Sequence, residues 1–280
     1  MKRPTHSAVT TYEQCVSKVT ERGEERRTRL DKAVPAVERA ARLYLSAATA
    51  GTLHALKAAY FKVPDVADKD AAEWIYTRGM AGARGPGRAI YDELMCSAED
   101  ERCPLCGHRD VRQLDHVMPK STFPAVCANP LNLVPVCGDC NYVKGDRVPS
   151  SRGTTLLHPY FDDIDGDQWL RARIVDPEQP TLKYFVSPPA DWTEELTARV
   201  QHHFDLLELG RVYRVQATRT LASIRHSLKD QLKRGTEDTV RDFLLDAAET
   251  RLKDRLNGWE GVAYQAWADD PSFCRGAFLR

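Results

Sequence analysis

Two Cys-x2-Cys pairs, separated by 30 residues, are the feature that most constrains this chain. The first pair is Cys103 and Cys106, and the second is Cys137 and Cys140. Each pair can wrap one edge of a tetrahedral ion, and four thiolates fill the coordination sphere of zinc. Because no ligand position stays open, such a zinc ion is structural and contributes to folding. The pattern therefore predicts a zinc-stabilised core at residues 101–150.

The remaining cysteines are scattered along the chain at Cys15, Cys96, Cys127 and Cys274. In a reducing compartment, paired cysteines favour a metal site over disulfides. We expect the scattered four to be buried small side chains or free surface thiols.

The composition is that of an ordinary globular protein, with 42% hydrophobic and 29% charged residues in 280. No apolar run reaches the roughly 18 residues of a membrane span, and the start lacks the apolar segment of a secretory signal. We therefore expect a cytoplasmic protein with no membrane association. The 40 basic and 40 acidic residues balance, which excludes a purely electrostatic DNA-binding protein. Any nucleic-acid surface must be a local patch, and the slightly basic first half is favoured.

The pattern of apolar residues predicts a mainly α protein with a small α+β core. Four regions are expected: a helical N-terminal region 1–100, the metal core 101–150, an irregular connector with short strands 151–190 and a helical C-terminal region 191–280. In the core, a hairpin of strands near Val111–His116 and Asn132–Val136 should precede a short helix that begins near Cys140 and ends at Pro149.

Several helices can be expected outside the core. Helical spacing favours Tyr12–Lys32, Val34–Phe61 and Asp68–Met80 in the first region. In the last region, Asp191 resembles an N-cap with Glu194 three residues on, and Gly235 should end a long helix.

Side chains suited to phosphodiester chemistry lie between and just after the cysteine pairs. Asp115 and His116 stand together at the end of the first predicted strand, and Asn141 begins the short helix. Hydrolysis needs a base for water, and a neutral histidine suits that role near pH 7. Carboxylate and amide oxygens suit Mg²⁺. Further cations could contact backbone phosphates, namely Lys120, Lys144 and Arg147.

This segment resembles the HNH endonucleases of the ββα-metal (His-Me finger) group. The resemblance covers about residues 101–150 and rests on the runs Leu114–Ser121, Asn132–Cys137 and Cys140–Gly145. It implies a ββα-metal zinc-knuckle core flanked by helical regions, with zinc on the four cysteines. The last motif letter is often histidine, whereas this chain has Asn141.

The resemblance also implies a role for each matched residue. His116 would activate water, and Asp115 with Asn141 would hold one catalytic ion, Mg²⁺ or Mn²⁺. Asn132 would tie the loop that orients His116. The expected activity is hydrolysis of DNA.

The arrangement of one HNH core between helical arms is similar to that of several bacterial antiviral defence nucleases. This likeness implies a partner ATPase or sensor protein.

Other interpretations of the same residues stay open. The core could be a non-catalytic zinc module that binds nucleic acid or a partner protein, or the chain could be an RNA-directed nuclease or toxin. A histidine such as His116 is often structural, Asn132 could cap a turn, and Lys144 and Arg147 could belong to a solvated helix face.

Overall fold

The computed structural model describes residues 1–18, 24–176 and 180–279. The chain forms two compact units, residues 1–162 and 163–280. Helices dominate, and the strands of the described residues form two small antiparallel pairs, so the expected fold class is confirmed. The two regions expected at 1–100 and 101–150 belong to one unit.

Most helices of the first unit precede its strands. Their bounds are α1 Ala8–Val16, α2 Glu24–Lys32, α3 Val34–Thr49, α4 Asp68–Ala71 and α5 Arg88–Met95. A π-helical segment, Ala72–Ala81, follows α4 directly.

Two of the predicted N-terminal helices have different bounds. The helix expected at Tyr12–Lys32 is divided between α1 and α2, and residues 19–23 lie outside the described part. The helix expected to reach Phe61 ends at Thr49, because Gly51 adopts a φ of 65° and short 3₁₀ turns follow. The predicted range Asp68–Met80 coincides with α4 and the π-helical segment, and Ile75 and Tyr76 are buried as expected.

The hairpin and helix of the core form as predicted. Strand β1 (Gln113–His116) pairs antiparallel with β2 (Leu133–Val136), and α6 (Gly138–Lys144) follows. Helix α6 ends before Pro149, at Gly145, whose φ of 54° is readily adopted only by glycine.

Apolar packing holds this core against the helices of the first unit. Phe61 and Phe123 meet edge to face at 5.2 Å between ring centroids, and both are fully buried. The Tyr76 hydroxyl donates a hydrogen bond to the carbonyl of Leu114 at 3.2 Å. The π-helical segment is therefore fixed beside β1.

The second unit combines a hairpin with helices. Its elements are β3 Leu170–Asp176, β4 Thr181–Val186, α7 Glu194–Leu206, α8 Leu209–Arg234, α9 Glu237–Asp254, α10 Trp259–Ala268 and α11 Pro271–Cys274. The α7 N-cap is Thr193, whose hydroxyl accepts the Leu196 N–H, so the expected cap at Asp191 is wrong. Gly235 ends α8 as predicted. Across the described ranges, the helices are too short or too polar to cross a membrane.

Candidate metal centre and catalytic site

The four paired cysteines meet in one cluster. Cys103, Cys106, Cys137 and Cys140 are all buried, and their sulfur atoms lie within 4.8 Å of one another. A tetrahedral zinc ion with Zn–S bonds of about 2.3 Å separates its sulfurs by about 3.8 Å. The cluster therefore fits the predicted site and could hold a metal such as zinc.

Local backbone geometry supports both knuckle turns. Gly107 adopts a φ of 58°, and the Cys106 sulfur accepts the N–H of Arg109 at 3.5 Å. The Cys137 sulfur likewise accepts the N–H of Cys140 at 3.4 Å. Backbone donors of this kind stabilise thiolates, which are the form that binds metal.

The electrostatics of the cluster also suit a cation. Hydrogen bonding to Cys103 lowers the pKa of Cys137 to about 6, whereas hydrogen bonding to the other sulfurs raises the pKa of Cys140. Four buried thiolates repel one another, so they all ionise together only around a positive ion.

His116, the last residue of β1, is oriented by the main chain. Its Nε2 lies 2.8 Å from the carbonyl oxygen of Cys127. Since a carbonyl only accepts, Nε2 carries the proton of this hydrogen bond. Burial lowers the pKa of His116 to about 3, so the ring is neutral near pH 7. Its Nδ1 then carries a lone pair, and no group in the described ranges donates to it.

Asn132 ties both ends of the loop that follows His116. Its side chain is fully buried. The amide oxygen accepts the N–H of Met118 at 2.8 Å, and the amide nitrogen donates to the carbonyls of Met118 at 3.0 Å and Val126 at 3.1 Å. Because Val126 precedes Cys127, Asn132 positions the carbonyl that orients His116. Within the described residues, the hydrogen bonds of its side chain are all to backbone, as is typical of a positioning residue.

Asp115 is held by a buried ion pair with Lys144. The Lys144 ammonium lies 3.1 Å from a carboxylate oxygen of Asp115 and donates to the carbonyl of His116 at 2.6 Å. Exposure falls to 9% for Asp115 and 5% for Lys144. Burial raises the pKa of Asp115, and Lys144 opposes that rise. The expectation that Lys144 presents its charge to a phosphate is therefore corrected, because the ammonium faces inward to Asp115.

Two other predicted residues lie on α6 or just after it. Asn141 lies three positions before Lys144 on α6, and residues at this spacing share a helix face. Its partly buried side chain therefore lies on the helix face that carries Lys144. Arg147 is exposed but donates to the carbonyls of Val143 and, at 2.8 Å, Lys144, so it caps the end of α6.

Lys120 approaches His116 from the loop after β1. Its ammonium lies 4.8 Å from the ring centroid of Tyr76 and 3.4 Å from the hydroxyl of Thr77. The Tyr76 ring in turn meets the His116 ring edge to face at 4.3 Å. Lys120 thus lies near the candidate site, and its contact with phosphate stays a prediction.

Sequence patterns did not reveal several of these neighbours. Tyr76 comes from the π-helical segment, and the Cys127 carbonyl belongs to the main chain. Ser121 donates to the carboxylate of Asp146 at 2.9 Å, which joins the loop after β1 to the residues after α6. A backbone carbonyl leaves no trace in residue identity, and Tyr76 has the burial pattern of any core aromatic residue.

One known protein is similar to most of the chain. Protein ea31 of Escherichia phage lambda is 31% identical over 218 residues, which span 73% of this chain and 73% of that protein. No family model matches the sequence, and no solved structure matches it. The extent of the likeness to ea31 shows common ancestry along most of both chains, and the chain therefore belongs to the same family as protein ea31 of phage lambda.

Proposed function

We propose that this protein is a metal-dependent HNH endonuclease that hydrolyses phosphodiester bonds of DNA. The observation that carries the proposal is the state of His116. Its Nε2–H is donated to the Cys127 carbonyl, so the proton of the neutral ring is on Nε2 and not on Nδ1. A histidine held in this tautomer has Nδ1 free to take a proton, which is what a general base for water requires.

The two predicted metal ligands have the chemistry that a divalent ion requires. Asp115 offers a carboxylate and Asn141 an amide oxygen, the hard ligands that Mg²⁺ and Mn²⁺ prefer. Bound there, the ion would supply positive charge to the scissile phosphate and the leaving 3′ oxygen. Burial raises the pKa of Asp115, so a nearby cation stabilises its ionised form. Attack by water on phosphorus would then leave 5′-phosphate and 3′-hydroxyl ends.

Plasmid nicking in Mg²⁺ or Mn²⁺ tests the proposal directly. His116→Ala should lower the rate by about 10²–10⁴-fold, the usual contribution of a general base. His226→Ala, at an exposed position of α8, is the matched control and should cut like the wild type. Equal cleavage by His116→Ala and the wild type, with unchanged zinc content, would refute the assignment of the base.

The buried ion pair favours a second candidate function. Lys144 already neutralises Asp115, as would be expected if the carboxylate had only a structural role. In that case the core is a non-catalytic zinc module that binds nucleic acid or a partner protein. It would retain DNA without cutting it in any divalent metal.

Two extensions of the proposal concern substrate and partner. Competition between DNA and RNA substrates separates a DNA nuclease from an RNA-directed nuclease or toxin. A cytoplasmic role in antiviral defence beside an ATPase or sensor protein is a further part of the proposal, and it rests on the likeness of an HNH core between helical arms to bacterial defence nucleases. Nicking that appears only after a co-purified ATPase is added would support such a partner.

A further inference from the structure

A cluster of cations and one tryptophan lies in the first unit. The Trp74 ring of the π-helical segment carries two guanidinium groups. The central carbon of Arg26, on α2, lies 4.3 Å from the ring centroid, and that of Arg78 lies 4.4 Å from it. Two like charges thus share one aromatic ring, an arrangement that cation–π attraction stabilises only weakly at exposed sites.

The acidic side chains that the structure describes do not neutralise all the cations of this cluster. Arg78 pairs with Glu73 at 2.8 Å, and both side chains are well exposed. Among the side chains that the structure describes, neither Arg26 nor Lys120 has a carboxylate partner. In a chain with zero net charge, an excess of cations at one place is a local feature and not an effect of composition.

The π-helical segment connects this cluster to His116. Thr77, the residue before Arg78, accepts a hydrogen bond from Lys120 at 3.4 Å. Lys120 lies over the Tyr76 ring, and that ring contacts His116. Lys120 therefore links the neighbourhood of the candidate base to Thr77, and the next residue, Arg78, stacks on Trp74 together with Arg26 from α2. We name this set the Trp74 surface: Arg26, Trp74, Arg78 and Lys120.

A purely structural role explains only part of the Trp74 surface. An arginine over a tryptophan can simply cover apolar area. That role needs neither a second guanidinium on the same ring nor a lysine without a carboxylate. Both are explained if the surface receives an anion.

We propose that the Trp74 surface binds the sugar–phosphate backbone of DNA beside the His116 site. This inference rests on the proposed function, because it assigns the substrate contacts of that site. Guanidinium groups form bidentate hydrogen bonds to phosphate. Stacking on Trp74 restricts both guanidiniums before binding, which lowers the conformational entropy lost when phosphate is bound.

Binding of a duplex of about 30 base pairs, measured by fluorescence anisotropy without added divalent metal, tests this surface separately from cleavage. The variants are Arg26→Gln, Arg78→Gln and the double variant. Arg42→Gln is the matched control, since Arg42 is 62% exposed and pairs with Glu38 on its own helix, whereas Arg78 is 59% exposed and pairs with Glu73.

Each lost phosphate contact lowers the slope of log affinity against log salt concentration by about 0.9. The double variant removes two phosphate contacts, so the magnitude of its slope should be smaller by about 2 than that of the wild type. At 0.1 M salt it should bind DNA at least tenfold more weakly, on the usual salt dependence of phosphate contacts. Arg42→Gln should bind like the wild type, and Arg78→Lys should keep its slope because the charge remains. Zinc content and melting temperature check that each variant is folded.

Two outcomes overturn the inference. One is a double variant whose slope equals that of Arg42→Gln, and the other is wild-type protein that does not bind DNA. If the slope falls as expected but no metal supports cleavage, the Trp74 surface stands and the nuclease proposal fails. If the wild type cuts DNA and the double variant binds normally, only the Trp74 surface fails.

Discussion

Residues 115–144 and the second unit are stabilised in different ways. The first segment buries five polar or charged residues, Asp115, His116, Asn129, Asn132 and Lys144. Within the described part of 163–280, the buried polar or charged residues are Arg199 and His203. The core of that unit is instead made of aromatic and aliphatic side chains, such as the stacked rings of Trp267 and Phe273, 5.8 Å apart.

The difference shows which part of the chain carries the free-energy cost of burying polar groups. An unpaired buried polar group costs about 1–3 kcal/mol, so a segment with many of them needs partners and a strong external restraint. Asn132 and Lys144 satisfy backbone carbonyls within the segment, and the four-cysteine cluster provides the restraint. Concentrated buried polarity of this kind is common at functional sites, whereas the second unit has the composition of a structural core.

Loss of a metal ion from the four-cysteine cluster should distinguish the two units most strongly. Structural zinc contributes on the order of 10 kcal/mol or more, so Cys106→Ser or a chelator should unfold the first unit. Cys96→Ser, at an exposed thiol, should be neutral. Since four of the five tryptophans, those other than Trp74, lie in 163–280, tryptophan emission should report a folded second unit while far-UV circular dichroism falls. If tryptophan emission and circular dichroism changed together, the two units would not differ in their dependence on the metal.

Removal of the Lys144 charge should have the next largest effect. Lys144→Met leaves Asp115 buried without its ion-pair partner, which typically costs about 3–5 kcal/mol. Adding Asp115→Asn should recover much of that loss, because the buried charge is then gone. Urea unfolding of the two single variants and the double variant measures the coupling. Additive effects would mean that the pair is not the reason for the loss.

Truncation of a buried side chain in the second unit should lower the free energy of unfolding by less. Its effect should not depend on ionisable groups. Leu244 on α9 is fully buried, so Leu244→Ala should lower the free energy of unfolding by about 2–5 kcal/mol. The change should be the same at pH 5 and pH 7 and with or without added zinc. A strong pH or metal dependence would show that the second unit shares the electrostatic character of the first.

Acid should weaken the first unit through His116. Its folded pKa of about 3 lies below the unfolded value of about 6.5, so the unfolded chain binds more protons between these values. The stability from neutral His116 is therefore complete above pH 6.5 and falls as pH falls towards 3. Between pH 7 and pH 5 the expected loss is roughly 2 kcal/mol, at about 1.4 kcal/mol per pH unit. His116→Gln should remove this difference in urea unfolding, and an unchanged pH profile would contradict it.

Short-range patterns predicted much of this structure. The Cys-x2-Cys pairs predicted a cluster that the fold confirms, since knuckle turns and ligand spacing are local. Both strands of the β1–β2 hairpin and the start of α6 were placed within about two residues, the usual margin at element ends. Errors occurred where a cap or a glycine decided the end of a helix, as at Gly51, Gly145 and Thr193, because one residue's backbone conformation outweighs the periodicity of many.

The sequence by itself determined which groups are available: four thiols at metal-binding spacing, a histidine beside an aspartate, and amides and cations within reach of a hairpin and a helix. Only the tertiary structure decided how they are used. In the folded chain, Lys144 points inward and pairs with Asp115, and His116 donates a hydrogen bond to the Cys127 carbonyl. Two arginines stack on Trp74. The physical reason is that burial and backbone contacts set the charge and direction of a side chain, and both depend on segments far apart in the chain.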